Sequence, residues 1–196
     1  DGSKSLPGWF NFQHIYQERV DESPKTDPSV FIEIGACFGR SAAFMGECIR
    51  DSGKPINFHA VDPFIESHIE SGIMDFLKYY RESADHDLSM EEVCRWHINR
   101  CGLDSWVKII TDYSVNAALQ FADQSVDFCF IDGDHTYDSV KSDILAWWPK
   151  MKEERWMGGH DYGMADVAKA VYDCLKFPVV VRHDVWMIWK PKAWRT

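Results

Sequence analysis

Residues 30–41 hold the feature that most constrains the fold, a short apolar stretch that leads into a glycine-rich turn. The stretch Val-Phe-Ile-Glu-Ile contains mainly β-branched and aromatic residues, so it predicts a strand. Gly35 and Gly39 follow it, and a helix is predicted to open at Ser41. Glycines at such a turn let backbone N–H groups approach a ligand at the start of the helix. The sequence therefore predicts a strand–turn–helix unit, here called the glycine elbow (residues 33–41), with a ligand at its turn.

The spacing of the glutamate, glycines and serine in the glycine elbow indicates which class of ligand it can bind. Glu-x-Gly-x-x-x-Gly-x-Ser is neither the Gly-x-Gly-x-x-Gly of dinucleotide-binding folds nor a phosphate loop, which needs Gly-Lys-Ser/Thr. Glu33 would repel a pyrophosphate but can accept a hydrogen bond from an ammonium group. The elbow therefore favours a zwitterionic cofactor that carries an amino acid, and it disfavours a nicotinamide dinucleotide.

Strand and helix patterns alternate along the chain. Strands are predicted at 30–34, 57–61, 107–111, 126–131 and 156–159, followed by a hairpin with strands at 178–182 and 185–189. Helices are predicted at 9–20, 41–50, 137–151 and 167–175. Alternation of this kind implies parallel pairing with right-handed crossovers. The predicted fold is thus α/β, a doubly wound, mostly parallel seven-stranded sheet with a C-terminal antiparallel hairpin.

Polar residues stand at the carboxyl ends of five predicted strands: Glu33, Asp62, Asp112, Asp132 and the pair His160-Asp161. Ligands of open parallel sheets bind at those ends, so we expect these side chains to share one site. We treat residues 1–196 as one domain, in which residues 64–105 form a long helical insert. This insert is either an additional helical pair that covers the sheet or a lid over the site.

Composition excludes some classes of function. The chain has 196 residues, a formal charge of −10 and a pI near 5.2, which argues against general binding to nucleic acid or anionic membranes. We expect no membrane span and no signal peptide. The six cysteines form no Cys-x-x-Cys motif, and we interpret them as reduced residues of a cytoplasmic protein. The tryptophans of the C-terminal third suit core packing, an aromatic substrate wall or the face of a homodimer.

Four segments together resemble the class I S-adenosylmethionine-dependent methyltransferases, within the group of small-molecule and sugar O-methyltransferases and cephalosporin-hydroxylase-like proteins. They are Glu33–Ser41, Val61-Asp62-Pro63, Phe130–Tyr137 and Gly158–Tyr162. The resemblance covers about residues 30–175 and implies a Rossmann-like sheet that binds S-adenosylmethionine.

The resemblance implies roles for several residues in cofactor binding. Glu33 and Gly35, with Gly39 and Ser41 of the same elbow, would line the methionine end. Asp62 would accept hydrogen bonds from both ribose hydroxyls, since a carboxylate offers two oxygens to a vicinal diol; alternatively it caps a turn before Pro63. The cofactor site would be completed by Asp112 and Ser114 near the adenine and by Asp132 beside the methyl group.

Metal-dependent relatives hold a divalent ion with an aspartate at the position of Asp132 and with an acidic pair at the end of strand five. This chain has His160-Asp161 at that pair, so the metal ligands would be Asp132, His160 and Asp161. An imidazole shifts the preference from Mg²⁺ toward Mn²⁺, Fe²⁺ or Zn²⁺. The alternative is that these residues only cap and orient loops.

Methyl transfer to an alcohol or phenol needs alignment, exclusion of water and removal of the acceptor proton. Asp134 and His135 are the candidate catalytic bases, the latter because the pKa of an unperturbed histidine lies near neutrality. His135 could instead be a buried histidine that orients Asp161. The sequence favours O-methylation of a small hydroxylated acceptor such as a sugar, glycoside or polyketide. Hydroxylase-like or S-adenosylmethionine-cleaving chemistry, and a non-catalytic binding module, are the alternatives.

Overall fold

A computed structural model describes residues 2–66, 71–84 and 87–192. The strands are β1 (Ser29–Ile34), β2 (Ile56–Asp62), β3 (Val107–Thr111), β4 (Val126–Ile131), β5 (Met151–Gly159), β6 (Val179–Arg182) and β7 (Val185–Lys190). The α-helices are α1 (Gln13–Glu22), α2 (Arg40–Ser52), α3 (Ser71–Ala84), α4 (Met90–Arg100), α5 (Ser114–Ala117), α6 (Tyr137–Trp147) and α7 (Ala165–Cys174). Short 3₁₀ turns occupy Gly2–Ser5 and Ala118–Gln120.

The strands form one seven-stranded sheet in the order β3-β2-β1-β4-β5-β7-β6. The first five strands pair in parallel, whereas β7 is antiparallel to both β5 and β6. This arrangement confirms the predicted fold class, including the C-terminal hairpin. The strand order reverses between β1 and β4, which makes the carboxyl ends of these two strands the topological switch point where ligands of such sheets bind.

Both faces of the sheet are covered, so the central strands are buried along almost their whole length and are mostly apolar. All six residues of β4 are buried, and only Val30 of β1 is half-buried. One buried cluster packs α1, α2 and α4 against one face, and a second packs α6 and α7 against the other. Strands buried on both faces read as continuous hydrophobic runs, which explains why β1 and β4 could be predicted from the sequence.

Predicted boundaries were wrong at two helices and at the start of β5. The helix predicted at 137–151 ends at Trp147, and Met151 instead begins β5. Pro149 explains this end, because proline has no backbone N–H to continue the helical hydrogen bonds, although Trp148 before it still has helical backbone. The helix predicted from Trp9 begins at Gln13. Residues before it instead place the Phe10 ring against Phe44 and the Phe12 ring against Phe130.

The predicted insert forms the helices α3 and α4, while residues 67–70 and 85–86 within it lie outside the described residues. Helix α4 begins with a capping box, in which Ser89 and Glu92 each accept from the other's backbone N–H. Among the described residues, no helix has the length and apolar character that crossing a membrane requires.

Candidate functional site

The glycine elbow connects the end of β1 to the start of α2. Gly35 has φ +96° and Gly39 has φ +80°, both in the left-handed region that favours glycine. A Cβ atom added to Gly35 would lie 2.1 Å from the carbonyl oxygen of Asp132, at the end of the neighbouring β4. Ser41 is buried in the first turn of α2. The elbow therefore brings its backbone directly against the end of β4.

Asp62 binds the backbone of the glycine elbow from the end of β2. One carboxylate oxygen accepts from the Cys37 N–H at 2.8 Å, and the other accepts from the Phe64 N–H at 2.6 Å. Burial raises the pKa of Asp62, and these backbone donors partly offset the rise. Each oxygen accepts one N–H and keeps the capacity to accept another hydrogen bond. Both the turn-capping role and a diol-binding role are compatible with this geometry.

Glu33 is fully buried, and neither of its carboxylate oxygens has a hydrogen-bond partner. Burial raises its pKa to about 8; the nearby Ser41 and Tyr16 hydroxyls counter part of that rise without reaching hydrogen-bond geometry. The Tyr16 hydroxyl is itself buried without a partner. Buried carboxyl groups are costly without a donor, so this orphaned group fits the ammonium of an amino-acid-bearing cofactor.

Asp112 and Ser114 flank the end of β3 but differ in their surroundings. Asp112 accepts from the Tyr113 N–H at 2.8 Å and from the Asn116 side chain at 3.0 Å. The Ser114 hydroxyl accepts from the Trp147 indole N–H at 2.9 Å, which joins α5 to α6. Asp112 therefore lies at the edge of the sheet with the other acidic strand ends, whereas Ser114 holds two helices together.

Four side chains from the ends of β4 and β5 form a cluster of close contacts between carboxylates and imidazoles. Asp161 is its centre, because its Oδ2 lies 2.9 Å from His135 Nε2 and 3.1 Å from His160 Nδ1. His160 Nδ1 lies 3.7 Å from Asp132 Oδ1. The cluster thus joins four of the predicted site residues across 29 positions of sequence, from Asp132 to Asp161.

The charges of this cluster follow from the contacts. Burial raises the pKa of Asp132 to about 7, although His160 opposes the rise. The hydrogen bonds from His135 and His160 hold the pKa of Asp161 well below its usual range. Burial lowers the pKa of His160, but the hydrogen bond to Asp161 and the charge of Asp132 outweigh it, so the net shift is upward. Asp161 is therefore an anion between two imidazoles, beside a carboxyl group that titrates near neutral pH.

Asp134 lies outside this cluster, exposed at the turn before α6. Its carboxylate accepts from the Thr136 N–H at 2.8 Å and from the Ser139 hydroxyl at 3.2 Å. Burial acts to raise the pKa of Asp134, but these donors outweigh it and lower the pKa. The side chain therefore stabilises the start of α6, one residue before His135.

Three residues near the site were missed by the sequence reasoning. Asn11 Oδ1 lies 2.8 Å from His160 Nε2, Tyr16 packs its ring on Phe130 beside Glu33, and Asp184 accepts from the Gly163 N–H at 2.6 Å. Asn11 and Tyr16 precede β1 and carry no motif, so nothing local marked them. Asp184 belongs to the His183-Asp184 turn of the hairpin, and its position beside the β5 loop depends on the antiparallel return of β7.

The acidic and imidazole groups could also hold a divalent cation. One ligand atom from each of Asp132, His135 and Asp161 lies within 4.8 Å of the others, and the same is true of His160, Asp161 and Asp184. The first set shares two members with the predicted metal ligands and replaces His160 by His135. Its mixture of carboxylates and imidazole fits Mn²⁺, Fe²⁺ or Zn²⁺ better than Mg²⁺.

Comparisons with known proteins identify the family. A family model described as "Methyltransferase domain" matches residues 32–162, whereas no curated protein sequence matches. Among solved structures, the O-methyltransferase NovP has a TM-score of 0.67 at 17% identity, covering 92% of this chain and 79% of NovP. An S-adenosylmethionine-dependent O-methyltransferase from Thermotoga maritima has a TM-score of 0.62 at 14% identity, covering 98% of this chain and 70% of that one.

A third similar structure is CalS11, a TDP-rhamnose 3'-O-methyltransferase of calicheamicin biosynthesis, with a TM-score of 0.57 at 13% identity over 94% of this chain and 77% of CalS11. Identities this low show a shared fold, whereas the family model covers most of the chain and both glycines of the elbow. The chain therefore belongs to the methyltransferase-domain family and is an S-adenosylmethionine-dependent methyltransferase.

Proposed function

We propose that this methyltransferase transfers the methyl group to a hydroxyl oxygen of a small molecule, such as a sugar, glycoside or polyketide. The observation that carries the proposal is the contact between His135 and Asp161 beside Asp132, at the switch point of the sheet. An alcohol needs a proton acceptor at the reacting atom, and this cluster supplies one. The names of NovP and CalS11 as O-methyltransferases add support.

The cofactor supplies an electrophilic methyl group on a sulfonium, and its thioether leaves without an acid. The chain's part is to bind and orient. Glu33 would accept from the ammonium, Asp62 from the ribose hydroxyls, and the turn between Gly35 and Gly39 would contact the methionine portion through its backbone. Asp112 would border the adenine, and Asp132 would lie beside the transferred methyl group. Ser114 would support the adenine side of the site through its hydrogen bond with Trp147.

His135 is the proposed catalytic base. Asp161 accepts from its Nε2 and thereby fixes the orientation of the ring, an arrangement in which a carboxylate orients a histidine for proton transfer. Asp134 is the weaker candidate, because its oxygens already accept from Thr136 and Ser139. Its proposed role is to hold the turn that carries His135.

A divalent cation, if used, would be held by Asp132, Asp161 and one of the two histidines. Such an ion would lower the pKa of a bound acceptor hydroxyl. Whether or not His160 binds the cation, it has a structural role, because its contact with Asn11 fixes the segment before α1 against the end of β5.

The acceptor is proposed to enter between the segment that precedes α1 and helix α3. Arg40 of the elbow donates to the Gly8 carbonyl oxygen, and the Trp9 indole lies against Gly72 of α3, where an added Cβ would be 3.1 Å from the ring. Trp9 remains 65% exposed, which is unusual for the largest apolar side chain. Its indole would contact a flat face of the acceptor, and α3 would act as part of a lid.

The test is methyl transfer from methyl-labelled S-adenosylmethionine to a panel of sugars, aryl glycosides and phenols. The proposal expects a methyl ether and S-adenosylhomocysteine in equal amounts. His135→Asn should abolish product while the affinity for S-adenosylhomocysteine is kept. Release of S-adenosylhomocysteine with a methylated amine or a methyl ester instead of an ether would contradict transfer to a hydroxyl oxygen, and full activity in His135→Asn would contradict the assigned base.

A further inference from the structure

His97 is a fully buried histidine that lies outside the cluster described above. It belongs to α4 and has no exposed surface. Its Nδ1 lies 2.7 Å from the carbonyl oxygen of Phe38, and its Nε2 lies 2.9 Å from the hydroxyl of Tyr80. A carbonyl oxygen only accepts, so Nδ1 carries a proton and donates to Phe38. Burial lowers the pKa of His97, which favours the neutral ring; Nε2 then accepts from the Tyr80 hydroxyl.

The two ends of this bridge belong to parts of the molecule with different roles. Phe38 is in the glycine elbow, next to Cys37, whose N–H donates to Asp62. Tyr80 is on α3, the helix that carries Gly72 under Trp9. The imidazole therefore connects the backbone that faces the cofactor with the helix proposed to face the acceptor.

Apart from this bridge, the contact of Gly72 with Trp9 and the packing of the Tyr80 ring on Phe38, α3 is held mainly by apolar packing and by contacts within the insert. Its buried residue Leu77 packs in a small cluster with Phe38, Met90 and Val93. The polar contacts of Arg81, to Glu66 and to the Leu88 carbonyl oxygen, stay within the insert. Apolar contacts tolerate sliding, whereas a buried hydrogen-bonded bridge is satisfied in only one arrangement.

We propose that His97 and Tyr80 are positioning residues that fix α3 to the glycine elbow, so that cofactor binding orders α3 before the acceptor binds. This inference rests on the proposed function, because it assigns α3 to the acceptor side. Binding of the cofactor restrains the elbow and thereby the Phe38 carbonyl; His97 and Tyr80 transmit that restraint to α3. A displaced α3 would leave a buried imidazole nitrogen without a partner.

The test is hydrogen exchange of residues 71–84, measured with and without saturating S-adenosylhomocysteine. In the wild type, binding should slow exchange of α3 amides by about tenfold or more. Tyr80→Phe keeps the ring but removes the hydroxyl, so α3 should lose this protection while calorimetry shows an S-adenosylhomocysteine affinity within about threefold of wild type. His97→Asn should behave in the same way, since an amide can still donate to Phe38 but cannot reach Tyr80.

Tyr79→Phe is the matched control, because it removes a hydroxyl from the neighbouring, 64% exposed tyrosine of the same helix. It should keep the full protection. Equal protection in wild type and Tyr80→Phe, or no protection in the wild type despite bound S-adenosylhomocysteine, would overturn the inference. Absence of binding to the folded wild type, read separately by calorimetry, would contradict the proposed function and this inference with it.

Discussion

A side chain at position 35 would occupy the place of the Asp132 carbonyl oxygen, since an added Cβ would approach it to 2.1 Å. Contact with backbone cannot be relieved by a rotamer change, and the positive φ of Gly35 adds strain for any other residue. We expect Gly35→Ala to lower the free energy of unfolding by about 3 kcal/mol or more, measured by urea denaturation.

Gly53→Ala is the control for this prediction. Gly53 also has a positive φ, +65°, but a Cβ there would meet nothing within 4 Å. Its cost should be limited to the backbone conformation, about 1 kcal/mol. Equal losses in the two variants would show that the close approach of the elbow to β4 is not what requires glycine at position 35.

The raised pKa of Glu33 predicts how stability depends on pH. Between its usual value of 4.5 and its folded value of about 8, the folded protein holds one more proton at this group than the unfolded chain does. The contribution of Glu33 is therefore fully present below about pH 4.5 and is lost as pH rises through 8.

Glu33→Gln stays neutral at every pH, so at pH 8.5 the variant without cofactor should unfold at a temperature roughly 4 °C or more above that of wild type. The advantage should vanish at pH 4.5 in thermal unfolding followed by calorimetry. Glu47→Gln provides the comparison, because Glu47 is a half-buried carboxylate that accepts from Ser3 at the surface of α2. A Glu33→Gln variant that is less stable than wild type at pH 8.5 would indicate that the carboxylate is satisfied within the protein.

Substitutions of the adjacent residues His135 and Asp134 should have different effects on kcat. His135→Asn removes the proposed base and should lower kcat by about 10²- to 10⁴-fold; it also removes the Nε2 donor to Asp161, so the folded state should lose a small amount of stability as well. Asp134→Ala removes acceptors of the Thr136 N–H and Ser139 hydroxyl, so it should cost about 1 kcal/mol of stability and reduce kcat much less. Kinetics with a responsive acceptor, combined with thermal unfolding, distinguish the two; the reverse pattern would make Asp134 the base.

Trp9 should contribute to acceptor binding and not to chemistry. Trp9→Ala is expected to raise the KM of ring-bearing acceptors by about tenfold while kcat and cofactor affinity change less than threefold. Trp189→Ala is the matched control, an indole 41% exposed that packs on Trp156 near the amino ends of the strands, away from the site. An unchanged KM in Trp9→Ala would place the acceptor elsewhere.

The parts of the fold that could be predicted are those in which local pattern and burial agree. The boundaries of β3 and β4 are those predicted from their apolar runs, and Asp62, Asp132 and Asp161 lie at the strand ends as expected. The start of β5 was missed because Lys152–Arg155 are polar and the strand is irregular at Glu154, which has φ +57°. Its pairing with β4 is set by the sheet and not by its own sequence.

The candidate site was predictable only in part, for a related reason. Strand ends can be placed from the alternation of elements, but side-chain partners depend on packing between distant segments. The contact of Asn11 with His160 joins residues 149 positions apart, and the bridge from Phe38 through His97 to Tyr80 requires three separate elements to meet. Neither contact has a sequence pattern of its own.

The central claim is that Glu33, the glycine elbow and Asp62 bind the cofactor, and that Glu33 does so as an ionised carboxylate. Isothermal titration of the protein with S-adenosylhomocysteine at pH 7, in buffers of different ionisation enthalpy and with or without EDTA, tests it most directly. We predict micromolar affinity with and without EDTA, release of close to one proton in the wild type, and at least tenfold weaker binding without that release in Glu33→Gln. No binding to folded wild type, or equal affinity and proton release in the variant, would contradict the account.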